Sequence, residues 1–105
     1  MKSFVKFALA TSAALVFAGN VFAADVKTDI KGMAFNPGTI TISVGDTITF
    51  TNRDGARHTA TARDGSFTTP TLRKGKSSTI TFSQKGTFAF FCKIHPGMKG
   101  KVVVK

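Results

Sequence analysis

The sequence predicts an all-β domain, a sandwich or barrel of about seven or eight short strands. Apolar and polar residues alternate with a period of two through residues 39–44, 47–51 and 78–82, the pattern of a strand with one face on a core and one in water. Turn-forming residues fall between these stretches, and no segment carries an apolar stripe at helical spacing.

Taken in order, residues 1–23 come before the domain. Lys2 and Lys6 precede an apolar run over residues 7–19, and Val21 and Ala23 occupy the small-residue positions of a cleavage site. This is the grammar of a secretory signal, expected to be cleaved after Ala23. A membrane anchor needs roughly 20 apolar residues; Ala, Thr, Ser, Gly and Asn dilute this run, so no membrane span is expected in the mature form. Residues 24–105 then form one periplasmic domain.

Within it, a first strand is expected near residues 26–30. Ile40, Ile42 and Val44 face inward along residues 39–44, and Ile48 and Phe50 along 47–51, with the turn "VGD" at 44–46 between them. "RDG" at 53–55 and again at 63–65 brackets a strand near 59–62. "RKGK" at 73–76 leads into the strand 78–82, with Ile80 and Phe82 inward, and "QKG" at 84–86 into "TFAFFC" at 87–92. The last strand is "KVVVK" at 101–105, leaving residues 93–100 as the connecting loop.

A mature chain of 82 residues is marginal for a hydrophobic core without a staple. A set of disulfides within the chain is impossible with a single cysteine, Cys92, which is then free, paired with another chain, or doing chemistry. The full chain carries 15 Lys and Arg against 5 Asp and no Glu, a balance of +10; loss of Lys2 and Lys6 leaves +8. Such a surplus favours acidic partners. Nucleic acid is not expected, given the export signal, the lack of a long basic run and the absence of Trp and Tyr.

"FFCKIHPGM", residues 90–98, places a thiol, an imidazole and a thioether at Cys92, His95 and Met98, three positions apart. Thiolate and thioether are soft donors and imidazole is intermediate, a combination suited to copper. The second imidazole of such a site must come from His58, the remaining histidine. Zinc accepts Cys and His, but Met is a poor zinc ligand and structural zinc sites use four Cys or His. A Cys–His nucleophile pair lacks any visible oxyanion or substrate-binding equipment, so no enzyme activity is expected. An inert core thiol, in a basic binding module that carries no metal, is the remaining alternative.

Two blocks resemble the cupredoxins, the small type I blue copper proteins, and most of all amicyanin within the plastocyanin and pseudoazurin group. They are "ITISVGDTITFTNRDGARHTAT" (40–61) and "GTFAFFCKIHPGMKGKVVV" (86–104), with "MAFNPGTI" (33–40) before the first. The spacing Cys-x-x-His-x-x-Met is similar to amicyanin's. The resemblance implies a Greek-key β-sandwich and one copper ion cycling between Cu(I) and Cu(II). It implies His58 and His95 as ligands through Nδ1, Cys92 through its thiolate and Met98 axially. Asn52 then falls where the family keeps an Asn that braces the two ligand loops, and Pro96 where a Pro shapes the surroundings of the exposed His.

The implied function is periplasmic one-electron transfer by a monomer. The alternative is copper buffering or delivery. Lys93, Lys99, Lys101 and Arg57 are expected to ring an apolar patch of Pro96, Gly97 and Met98, joined by Met33 and Phe35 unless these lie in the core. An acidic-surfaced redox protein, such as a cytochrome c or a periplasmic oxidoreductase, is the expected partner. The chain departs from the family at Phe50, often Trp, at Arg57, commonly Pro, and at Lys93 and Ile94, commonly Thr-Pro. The stretch between His58 and Cys92 is also short for the family. None of these departures removes a ligand.

Overall fold

The computed structural model describes residues 22–105. The expected secretory segment, residues 1–23, lies outside the described residues except for its last two. Eight strands follow: β1 (Asp25–Ile30), β2 (Phe35–Asn36), β3 (Thr39–Ile42), β4 (Thr47–Asn52), β5 (Thr61–Ala62), β6 (Ser77–Thr81), β7 (Gly86–Phe91) and β8 (Lys99–Val104). They form two four-stranded sheets, β2-β1-β4-β6 and β3-β8-β7-β5. This is the expected all-β sandwich with Greek-key crossing between layers. Among the described residues, no helix is long and apolar enough to cross a membrane.

Two pairings are parallel, β1 with β4 from Asp25↔Thr47 to Ile30↔Asn52, and β3 with β8 from Thr39↔Lys101 to Ile42↔Val104. Parallel neighbours cannot be joined by a hairpin, so each joins segments distant in the chain. In β4 the alternation is complete: Ile48 and Phe50 are buried and the threonines face outward. Those threonines cross-link the outer face. Thr47 and Thr49 donate to Asp25 at 2.6 and 2.9 Å, Thr49 pairs with Thr79 at 2.8 Å, and Thr51 with Ser77 at 2.7 Å. The Thr47 hydroxyl, then the Lys27 ammonium, hold the Asp25 carboxyl below its ordinary value.

The inner faces meet in a core of Ile30, Ile40, Ile42, Ile48, Phe82, Val102 and Val104 around three edge-to-face phenylalanines. Phe90 lies 4.8 Å from Phe35 and 5.6 Å from Phe50, centroid to centroid. Each such pair contributes about 0.5–1.5 kcal/mol beyond its burial. Phe35 therefore belongs to the core and not to a surface patch; Met33, 45% exposed, faces solvent.

Strand ends differ from the alternation in three places. β3 stops at Ile42 because the Asp46 carboxylate accepts from the Ser43 amide at 2.9 Å and turns the chain, leaving Val44 exposed. Only Thr61 and Ala62 pair in the segment 59–62, since His58 is diverted to a bridge with Leu72. β8 begins at Lys99, so the ligand loop is tighter than residues 93–100. Gly100 makes that early start possible: a Cβ there would collide with the Phe90 ring and lie 2.7 Å from the Gly38 carbonyl.

Candidate metal centre

The loop after β7 closes on itself. The Cys92 amide donates to the Met98 carbonyl at 3.1 Å and the Met98 amide to the His95 carbonyl at 2.9 Å. One residue thus ties both the start and the middle of the loop, so Cys92, His95 and Met98 are gathered by backbone bonds. Cys92 is fully buried, Met98 nearly so, and His95 half-buried.

His58 arrives from the other side. Its amide donates to the Leu72 carbonyl at 3.1 Å and its carbonyl accepts from the Leu72 amide at 2.7 Å, fixing the backbone at both ends. The ring is completely buried. The nearest ring nitrogen of each histidine to the Cys92 sulfur is Nδ1, at 3.7 Å for His58 and 3.9 Å for His95. The rings stand edge to face, 5.0 Å between centroids. All three donor atoms lie within 4.8 Å of one another. Two imidazoles and one soft thiolate, converging from two loops, fit copper by donor chemistry.

Asn52 is fully buried, and its carboxamide works on the His58 side alone. It donates to the carbonyls of Ala56 and Leu72, both at 2.8 Å, and accepts from the Asp54 amide at 2.8 Å. The Asn52 bonds therefore differ from the implied brace between two ligand loops: its amide group reaches the Leu72 carbonyl, which also receives the His58 amide. Thr59 spans the gap instead. Its amide points at the Cys92 sulfur at 3.4 Å and its hydroxyl accepts from the Lys93 amide at 2.9 Å. A residue directly following a ligand was open to suspicion from position alone, but nothing in the pattern distinguished Thr59 from the other strand threonines.

Asp54 was legible only as a turn residue of "RDG". Its carboxylate lies 2.9 Å from His58 Nε2 and accepts from the Gly32 and Met33 amides at 2.9 and 3.0 Å. The Met33 amide above all, then that of Gly32 and the His58 ring, hold this carboxyl below its ordinary range against the opposing effect of burial.

Arg57, Lys93, Lys99, Lys101, Pro96 and Gly97 are all exposed. Arg57 and Lys93 each adjoin a site residue in sequence. Lys99 and Lys101 lie on β8, two residues apart and so on one face of their sheet.

A family model described as a cupredoxin-like domain matches residues 3–104. The chain is 34% identical to a chloroplastic plastocyanin of Silene latifolia subsp. alba, over 90% of this chain and 68% of that one. It is 31% identical to the amicyanin of Paracoccus denitrificans, over 76% of this chain and 65% of the relative. Among solved structures, a reduced amicyanin variant superposes with a TM-score of 0.73 at 30% identity, covering 84% of this chain and 89% of that one. A copper-containing nitrite reductase from Thermus scotoductus SA-01 gives 0.72 at 34% identity, covering 77% of this chain but only 22% of the reductase. Copper is the cofactor for which His58, Cys92 and His95 form the ligand site. Sandwich, donor set and sequence match agree, and the chain belongs to the cupredoxin family.

Proposed function

We propose that this protein is a periplasmic mononuclear type I copper protein carrying single electrons between redox partners, in which His58, Cys92 and His95 would hold the ion and Met98 would serve as a fourth, weaker donor. The observation that carries this reading is that the three donors already stand within 4.8 Å of one another, each on hydrogen-bonded backbone. A frame so constrained changes little between valences, which is what fast electron exchange requires. Bound copper supplies the Cu(I)/Cu(II) couple. Amicyanin structures similar to this chain are described as reduced, oxidised and Cu(I) forms, in support of a redox role.

The chain's own residues divide the remaining work. Cys92 is sealed from water, and the Thr59 amide aimed at its sulfur moderates the electron density of the thiolate. Met98 offers a weak neutral donor from a buried position. His95, half-buried beside exposed Pro96 and Gly97, reaches further towards the surface than His58, Cys92 or Met98, and an electron would leave the site through it. The reductase similarity spans about a fifth of that enzyme and does not make this chain an enzyme.

Processing after Ala23 fits the geometry at the start of β1. The Ala24 nitrogen lies 2.9 Å from Asp46 Oδ1, so a freshly exposed ammonium at Ala24 would meet a carboxylate at once. Backbone donors, that of Ala24 first and Ser43 second, hold the Asp46 carboxyl below its ordinary value.

The test is electrochemical. Residues 24–105 loaded with Cu(II) are expected to cycle reversibly on an electrode while retaining one copper per chain. Surrender of the ion to an acceptor during cycling would favour delivery, and a purified protein that takes up no copper would overturn the site. We further expect an acidic-surfaced redox protein, a cytochrome c or a periplasmic oxidoreductase, as partner to a monomer whose exposed Arg57, Lys93, Lys99 and Lys101 steer the encounter. Its electron-transfer rate should fall steeply as salt rises from about 10 to about 150 mM, over which the screening length shrinks from about 30 to about 8 Å. Stopped-flow rates that do not respond to salt would exclude these cations as the docking determinant.

A further inference from the structure

We infer that Asp54 is a positioning residue for copper: its carboxylate locks the His58 ring so that Nδ1 faces the metal, and it takes its own rigidity from the turn between β1 and β2. The inference rests on His58 as a ligand, as proposed above. A carboxylate can only accept, so the 2.9 Å contact requires His58 Nε2 to carry the hydrogen. Nδ1 is then the lone-pair nitrogen, and it is the one near the Cys92 sulfur at 3.7 Å. A ring buried completely and gripped at its outer nitrogen cannot flip without leaving both groups unpaired.

What holds Asp54 is unusual. Gly32 and Met33 both have positive φ, 65° and 55°. For Met, that backbone region is sparsely populated. In this conformation the two successive amides converge on one target, at 2.9 and 3.0 Å from the two Asp54 oxygens. Asn52 fixes the same residue from behind, through the Asp54 amide. The chain thus runs from an exposed turn through one carboxylate to a buried ligand. Outer partners of this kind set ligand orientation and basicity.

Asp54→Asn tests the inference, because one end of a carboxamide must present N–H groups to donors that now meet oxygen. Two readouts are needed. In metal-free native protein at neutral pH, nitrogen NMR should show His58 as the Nε2–H tautomer alone; in the variant it should show a mixture. In loaded protein, Cu(II) affinity should drop about 10- to 100-fold. Loss of a nearby negative charge disfavours the higher valence, so the reduction equilibrium should move about tenfold towards Cu(I), a potential about 59 mV higher. Asp29→Asn removes the same charge from an exposed pair with Arg53 and should leave tautomer and potential unchanged. If Asp54→Asn changes thermal stability but neither tautomer nor potential, the inference is overturned. A native protein that takes up no copper would instead fail the ligand assignment itself.

Discussion

Cys92→Ser loaded with Cu(II) should lack the intense visible absorption of the native protein. That band requires a polarisable thiolate bonded to the ion, and the only sulfur anion in the chain is Cys92. The substitution isolates the electronic effect from the structural one. Ser differs from Cys by one atom, the Thr59 amide aimed at sulfur at 3.4 Å keeps an acceptor, and the backbone bonds from residue 92 to Met98 are untouched. The metal-free variant should therefore stay folded, losing at most about 1–3 kcal/mol for burying a hydroxyl in place of an apolar thiol. Absorption spectra and thermal melts of both proteins decide the matter together. Retention of the band in the variant would move the chromophore away from Cys92.

Gly100→Ala should cost substantial stability, because among the glycines of the described residues it is the one where an added Cβ would come within 3.0 Å of a neighbouring atom. Its Cβ would lie 2.7 Å from the Gly38 carbonyl and against the Phe90 ring. Neither can retreat easily. Gly38 precedes β3, and its carbonyl is bonded to the Lys101 amide at 2.8 Å, while Phe90 is completely buried between Phe35 and Phe50. Overpacking of this kind costs about 1–3 kcal/mol. In a domain of this size each kcal/mol moves the melting temperature by about 4–8 °C, so a drop on the order of 10 °C is expected in the metal-free protein. Phe90 also lies two residues before Cys92, so the loaded variant should show a shifted visible band. A melting temperature within about 2 °C of native would mean that Phe90 has room to move.

Much of this was legible before any coordinates. The strands that alternate cleanly, β4 above all, were readable because burial on one face is written directly into a period of two. The donor group was readable because Cys92, His95 and Met98 are close in sequence, and only one further imidazole existed to complete it. Other features were hidden for physical reasons. Val44 continues the alternation of β3, yet it is excluded from the strand by a carboxylate two residues later, which no apolar pattern records. Phe35 could have been surface or core until its partners Phe50 and Phe90 were placed beside it. Thr59 matters through contacts across 33 and 34 residues, and Asp54 through its pair with His58 four residues on, held by amides 21 and 22 residues back; residue type alone gave Asp54 the look of an ordinary turn and Thr59 that of an ordinary strand threonine. The bonds of Asn52 depended on where the Leu72 carbonyl stood, which spacing does not encode.

The placement of β8 between β3 and β7 has a consequence for when the donor loop can close. During synthesis β8 emerges after every other described strand, and until it does β3 and β7 are both left without the neighbour that joins them. Met98, whose backbone closes the cysteine loop, emerges immediately before it. The closed donor loop therefore depends on the last strand: only when β8 has joined β3 and β7 is the second sheet complete and Met98 held against Cys92.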